Sequence, residues 1–344
     1  MVYIENTSTD PYFNFGLEQY LMQENPAGDE MFLFWRTRPT LMIGNYQNAA
    51  AEINEPFARE NNIDIVRRVS GGGTIYTDLD GWQFSFIVKD IGKNTGIDFK
   101  YYAEKIAAAL CSLGANASFN SRNDILIEGK KISGNAQYRS KGYILHHGSL
   151  LFDTNLENLV RSITVSNEKI VQKGITSVRQ RITNIRPHLT QNIDTLAFKQ
   201  QMLDILLCAE DTQYTLTAND IERARQIGEE KFKSWDWCFG RSPSMDLVRG
   251  NRFEGGRIDF HLKLEKGKIT ACKICGDFFC AIDIALLENT LIGCPFHYTD
   301  MRVALLALQH PEMVYRISID QMLATLCGDS QGNCSFSSAL PKEA

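Results

Sequence analysis

The chain has 344 residues, with 36 Lys and Arg against 41 Asp and Glu and a formal net charge of −5. At 44% hydrophobic and 22% charged residues it is neither disordered nor fibrous, and its length predicts about two domains with cores of their own. The acidic balance excludes a general nucleic-acid binder, though not a local basic pocket.

The opening MVYIENTSTDPYFNF shows no basic start followed by an apolar run, so no signal peptide is predicted. No stretch reaches the roughly 18 apolar residues of a membrane span. Residues 31–35 and Thr40–Ile43 read as short strands on either side of Thr37-Arg38-Pro39. Trp82, Phe84, Phe86 and Val88 alternate with Gln83, Ser85 and Ile87, which predicts a half-buried strand. A helical stripe runs over 99–113, from Asp98 as N-cap to Gly114 as stop, and others over 195–207 and 219–232. Residues 240–256 carry four glycines and one proline, the composition of an interdomain break. Beyond it, 257–264 and the strand after 265–268 predict a hairpin. Striped segments follow at 283–292, 300–308 and 318–326, the last opening on a capping box from Ser318 to Gln321. The predicted organisation is α+β: a first domain over 1–243, a linker over 244–256, a small second domain over 257–330 and a flexible tail over 331–344.

Nine cysteines in no regular framework predict free thiols and a cytoplasmic location. Cys272-x-x-Cys275, with Cys280 and Cys294 nearby, leaves a zinc site and buried core thiols as alternatives. The apolar run around them and the lack of a second ligand pair favour core thiols.

Four strings carry the chemistry. Arg67-Arg68-Val69-Ser70-Gly71-Gly72-Gly73-Thr74 lies between two strand-like runs; its glycines let backbone N–H groups approach a ligand, and two arginines beside it suit a phosphate or carboxylate. It is neither a Walker loop nor a dinucleotide fingerprint, and on its own it is equally a hairpin connector. Asn123-Asp124 and then Lys130-Lys131-Ile132-Ser133-Gly134-Asn135-Ala136 present an ammonium over small residues, suited to the charge that builds when a carboxylate attacks a phosphate. His146-His147-Gly148 lies on a strand, so the two rings face opposite ways and cannot chelate one metal. Last, 167–186 holds five Lys and Arg (169, 173, 179, 181 and 186) against the single acid Glu168, as an anion-binding loop would.

These four strings, in this order, resemble the lipoate–protein ligase A family of the biotin/lipoate protein ligase superfamily. The opening 10–21, the stretch 32–48 and the tail from 235 onward resemble it as well, so the likeness covers nearly the whole chain. It implies an α+β fold: a large catalytic domain of the biotin/lipoate-ligase type, with mixed sheets and packed helices, plus a small α+β C-terminal accessory domain. It also implies ATP with Mg²⁺, lipoyl-AMP formed with release of pyrophosphate, and lipoyl transfer to one lysine of an acceptor. Lipoyl domains of 2-oxoacid dehydrogenase acyltransferase subunits and the glycine cleavage H protein are the implied acceptors, and a monomer free of membrane and nucleic-acid partners is expected.

Carried over by position, Lys131 would be catalytic, touching both the lipoate carboxyl group and the α-phosphate. ATP or the adenylate would meet Arg68, Gly73, Thr74, Ile75, Tyr76, Asp124, Thr176, Ser177, Val178 and Arg179, with Asp124 near Mg²⁺. Lipoate would lie against Trp35, Ser70, Gly71, Gly72, Gly73, Ser133, Ala136 and His147. Thr77 departs from the pattern, standing where many members have histidine, and Leu79-Asp80-Gly81 alters the turn after it. Two rival functions remain at this point: an ATP-independent lipoyl or octanoyl transferase, and a non-catalytic binder of lipoyl-AMP or lipoyl domains. No cysteine lies in the four strings, which weighs against a thiol-acylating transferase.

Overall fold

A computed structural model describes residues 1–92, 97–120, 122–163, 180–239, 247–265, 267–310 and 312–327. It divides into two compact units, Met1–Ser242 and Pro243–Ala344.

In chain order the first unit runs β1 (Val2–Ile4), α1 (Pro11–Glu24), β2 (Glu30–Trp35), β3 (Thr40–Ile43), α2 (Ala49–Glu52), α3 (Glu55–Glu60), β4 (Asp64–Arg67), β5 (Ile75–Thr77), β6 (Trp82–Lys89) and α4 (Lys100–Ser112). It continues through β7 (Ala117–Phe119), β8 (Asp124–Ile127), β9 (Lys130–Ser140), β10 (Tyr143–Leu150), α5 (Leu156–Ile163), α6 (Thr195–Leu206), β11 (Thr212–Tyr214), α7 (Ala218–Ile227) and α8 (Trp235–Cys238). Eight strands form one sheet in the order β11-β1-β2-β6-β10-β9-β8-β7, and a second sheet runs β4-β3-β5.

The large sheet is covered on both faces. Phe32, Phe34, Trp82, Phe84 and Phe86 pack with α4 and α6 on one side; Met31, Leu33, Trp35 and Ile87 pack with α1 on the other. Double coverage explains why 31–35 reads as an unbroken apolar run. It also corrects the half-buried reading of β6, where Gln83 and Ser85 are as buried as the aromatics between them. Ser85 Oγ meets Trp35 and Glu18, and Gln83 Nε2 meets Thr77, while Gln83 Oε1 has no hydrogen-bond partner among the described residues.

Helix α1 begins at Asp10, whose carboxylate accepts from the N–H groups of Tyr12 and Phe13, with Pro11 at the first turn. It lies close to α7: a Cβ on Gly16 would stand 2.2 Å from the Ala224 carbonyl oxygen, so only glycine permits that approach. The expected helix over 219–232 is α7, capped by Thr217 and ending in a π-turn over Gly228–Phe232. Phe232 from that turn stacks on Phe15 of α1 at 5.6 Å.

The second unit is an antiparallel meander of β12 (Leu247–Phe253), β13 (Gly256–Glu265) and β14 (Lys268–Gly276), with α9 (Ile284–Leu291), α10 (Tyr298–Leu306) and α11 (Ile319–Cys327). Ser318 and Gln321 make the expected reciprocal cap of α11. β12 falls inside the stretch read as a linker. Its residues are exposed on both sides of an edge strand, so no alternating apolar pattern marks it in the sequence.

Cys272 and Cys275 are buried, and burial pushes the Cys272 thiol up to about 12. Among the described residues there is no group of three or more His, Cys, Asp or Glu that could hold a metal ion. Cys327 is disulfide-bonded, so the free-thiol expectation fails there. No helix among the described residues is long and apolar enough to cross a membrane.

Candidate active site

The glycine loop connects β4 to β5, both hydrogen-bonded to β3 between them. The two arginines ahead of it are buried, and neither guanidinium is turned outward as the sequence suggests. Arg67 donates to the carbonyl oxygens of Gly44, Asn45, Gln47, Trp237 and Cys238. Arg68 donates to those of Met42, Gly71 and Gly73. Burial, with Arg67 beside it, lowers Arg68 to about 10.

The arginines therefore shape the loop. In a trans peptide the N–H points opposite to the preceding C=O. With the Gly71 and Gly73 carbonyls drawn onto Arg68, the N–H groups of Gly72 and Thr74 face away from it. Backbone N–H groups presented to one side in this way suit an anion. Gly72 takes a φ of 90°, and a Cβ on Gly44 would fall 1.9 Å from the Gly72 carbonyl oxygen. Gln47 closes the turn, accepting from Gly44 N–H and from the Thr74 hydroxyl through one oxygen.

Lys131 and Asp124 meet on adjacent strands. Asp124 pairs with Gly134 and Leu126 with Lys131, with an irregularity between them at Ile125/Leu126. Residues three apart on a regular strand face opposite ways; the extra residue here brings Lys131 to the face of Gly134 and Asp124. Lys131 Nζ lies 2.7 Å from Asp124 Oδ1. A Cβ on Gly134 would stand 2.9 Å from that Nζ, so the ammonium rests over the glycine. Ser133 is buried beside it, and among the described residues its hydroxyl has no hydrogen-bond partner.

On β10 the adjacent histidines face opposite sides, as expected. His146 bonds Gln137 through Nδ1 and Asn135 through Nε2, among the rings of Phe84, Phe99 and Tyr102. Burial, with His147 as its neighbour, lowers it to about 3, so it is a neutral structural ring. His147, next to Ala136 on β9, contacts Ser70 Oγ through Nε2 at 2.6 Å and Glu18 through Nδ1 at 3.1 Å. Glu18 also takes the Ser85 hydroxyl, which takes the Trp35 indole N–H. A cavity of about 60 Å³ opens beside this group, lined by Phe15, Glu18, Val69, Tyr138 and Leu145 among others.

Glu18 and Ser85 belong to none of the four strings. The available signal was Glu18 itself, an acid on the stripe of α1 that buries Phe15, Leu21 and Met22. Of the remaining expected residues, Tyr76 is buried and takes a bond from Asn158, while Ile75 packs against the α1 side of the core. Thr77 is buried and accepts from Gln83 Nε2 at 2.8 Å. Lys173, Thr176, Ser177, Val178 and Arg179 lie outside the described residues.

Residues 10–207 match the model of the lipoyl protein ligase A/B catalytic domain, and 242–326 that of the bacterial lipoate protein ligase C-terminus. Lipoate-protein ligase LplJ of Bacillus subtilis is 41% identical over 298 residues, covering 85% of this chain and 90% of that one. Lipoate–protein ligase 1 of Staphylococcus aureus is 38% identical, covering 89% and 93%. Among solved structures, P. falciparum LipL1 with lipoate matches at a TM-score of 0.72 with 21% identity, covering 89% of this chain and 94% of that one. The bipartite ligase of Thermoplasma acidophilum, solved in a study that includes its E2 lipoyl domain, matches at 0.60 with 24% identity, covering 72% and 98%. A lipoate-protein ligase A bound with ATP matches at 0.56 with 23% identity, covering 70% and 98%.

Proposed function

The chain belongs to the lipoyl protein ligase A/B family and is a lipoate–protein ligase; we propose that it activates free lipoate with ATP on the face shared by Lys131 and Asp124. The lipoate carboxylate attacks the α-phosphorus, the bond to the leaving phosphate breaks, and lipoyl-AMP forms with release of pyrophosphate. The acceptor lysine amine then attacks the acyl carbon, AMP leaves, and an amide remains. The observation that carries this reading is Lys131 held by Asp124 over Gly134. An anion attacking an anion needs positioning and a nearby cation, and a lysine resting on a glycine leaves room for both reactants.

The remaining residues divide by chemistry. The Gly72 and Thr74 N–H groups suit phosphate oxygens, with Gly73, Ile75 and Tyr76 continuing the nucleotide wall. Arg68 holds the loop rather than the phosphate. Trp35, Ser70, Gly71, Ala136 and His147 suit the acyl side, where apolar burial contributes roughly 0.8 kcal/mol per CH₂. Thr176 to Arg179 would cover the adenylate. Asp124 is a single carboxylate, which fits a Mg²⁺ held chiefly by the nucleotide's phosphates. When bound, Mg²⁺ would neutralise phosphate charge.

We place the enzyme in the cytoplasm as a monomer, serving lipoyl domains of acyltransferase subunits and the glycine cleavage H protein. The test is pyrophosphate release with free lipoate and ATP, followed by amide formation on each acceptor. A transferase would give no ATP-dependent pyrophosphate, and a binding protein would hold lipoyl-AMP without modifying an acceptor.

A further inference from the structure

Beneath the glycine loop, five side chains form a continuous buried chain from Trp35 through Ser85, Glu18 and His147 to Ser70. The contacts run 2.9 Å from Trp35 Nε1 to Ser85 Oγ, 2.5 Å on to Glu18 Oε1, 3.1 Å to His147 Nδ1, and 2.6 Å from His147 Nε2 to Ser70 Oγ. All five residues are buried.

The first member directs the protons as far as Glu18, and a neutral His147 ring directs the rest. An indole N–H can only donate, so Ser85 Oγ accepts from Trp35 and its own proton goes to Glu18. An ionised carboxylate can only accept, so His147 must donate from Nδ1. The neutral ring then has a bare Nε2, which takes the Ser70 hydroxyl proton. His146, one residue earlier, holds the opposite tautomer: Asn135 Oδ1 takes a proton from Nε2, and Gln137 Nε2 donates to Nδ1.

We propose that Glu18 is the positioning residue of the acyl pocket: it fixes His147 as the Nδ1–H tautomer and so latches Ser70, and the glycine loop with it, onto β10. Glu18 acts at a second point as well. Its charge favours the buried guanidinium of Arg68, which holds the carbonyls of that same loop. With these five side chains paired to one another, none of them is left demanding a partner from an apolar ligand, whereas an unpaired buried donor would cost binding. This rests on the reading of Ser70 and His147 as acyl-side residues.

The test uses the full-length protein labelled with ¹⁵N-histidine, the His147 ring being assigned by its loss in His147→Gln. In the neutral ring of the wild-type protein Nδ1 is expected to carry the proton and Nε2 to be bare. In Glu18→Leu the Nε2–H form becomes populated, and KM for lipoate in pyrophosphate release rises about tenfold while kcat stays within about threefold. Glu18→Gln, whose amide oxygen can still accept from Nδ1, restores the tautomer and most of KM. A wild-type His147 protonated at Nε2 overturns the proposal, as does a Glu18→Leu protein with unchanged tautomer and KM. If Glu18→Leu does not fold, Glu18→Gln with the tautomer lost overturns it equally. Failure of the acyl-side reading shows separately, as a His147→Gln protein whose lipoate KM matches wild type.

Discussion

Lys131 Nζ stands 2.7 Å from Asp124 Oδ1, in an ion pair that both side chains leave partly open to solvent. A pair of this exposure contributes little to stability, so its value is in aiming the ammonium. Lys131→Ala is expected to keep the fold and to lose on the order of 10²–10³ in rate in both half-reactions. Pyrophosphate release and single-turnover transfer from added lipoyl-AMP measure the two separately. A variant forming lipoyl-AMP at near-normal rate would remove Lys131 from the chemistry.

Gly134→Ala tests the same ammonium from the other side. The new Cβ would meet Lys131 Nζ at 2.9 Å and Cε at 3.1 Å, the far end of a flexible side chain. The lysine must swing away, and nothing in the backbone has to move. Stability should hold, or rise by under about 1 kcal/mol as the unfolded chain stiffens. The expected loss in kcat is about tenfold or more, because a displaced reacting group forfeits orientation. Thermal melting and steady-state kinetics on one preparation decide it; equal kcat means the lysine need not rest over the glycine.

Gly44→Ala strikes the nucleotide loop instead. Here the new Cβ would lie 1.9 Å from the Gly72 carbonyl oxygen and 3.3 Å from Arg68, so backbone must shift. A shift in the loop that presents the Gly72 and Thr74 N–H groups should raise KM for ATP by about tenfold and cost about 1–3 kcal/mol of stability. Urea unfolding and ATP titration measure both. An ATP KM unchanged from wild type would detach the loop from nucleotide binding.

The site was legible where side chains do local work and illegible where partners come from afar. The glycine string, Lys131 and the opposed histidines stand in the sequence as chemistry at fixed spacing. Arg67 read as a ligand for anions because nothing near it reveals the carbonyls of residues 237 and 238, which claim its guanidinium. Ser85 read as a solvent-facing residue because alternation cannot say that α1 covers the second face of β6. β12 escaped because an edge strand exposed on both sides has no apolar period to see.

Thr77, the departure from the resembled pattern, fills its place without leaving room. It is buried, accepts from Gln83 Nε2 at 2.8 Å, and shares with Thr154 the space above Gly81. Thr77→His would have to force an imidazole into that packing. The expected cost is about 1–3 kcal/mol, with no gain in lipoate turnover. Urea unfolding and pyrophosphate release check it. Higher turnover at unchanged stability would mean the turn over 78–81 opens more readily than its bonds to Asn155 and Asp153 imply.

His146 gives the acid response a local origin. Its ring is fully buried and lowered to about 3, against an ordinary value near 6.5 in the unfolded chain. Above about pH 6.5 neither state binds the proton and the ring adds no pH dependence. Below it the unfolded chain takes up a proton that the folded ring refuses, so stability falls by roughly 1.4 kcal/mol per pH unit until about pH 3. At pH 5 that amounts to about 2 kcal/mol. His146→Gln keeps groups able to face Asn135 and Gln137, but loses the ring contacts to Tyr102 and Phe84. It should therefore be the less stable protein at pH 8. Carboxylates titrate alike in both proteins, so the difference between their slopes isolates the ring. Urea unfolding at pH 8, 6 and 5 should show the gap between wild type and variant narrowing by about 2 kcal/mol as pH falls. A constant gap would mean that the folded protein admits the proton at this ring, with Asn135 and Gln137 turning to accept it.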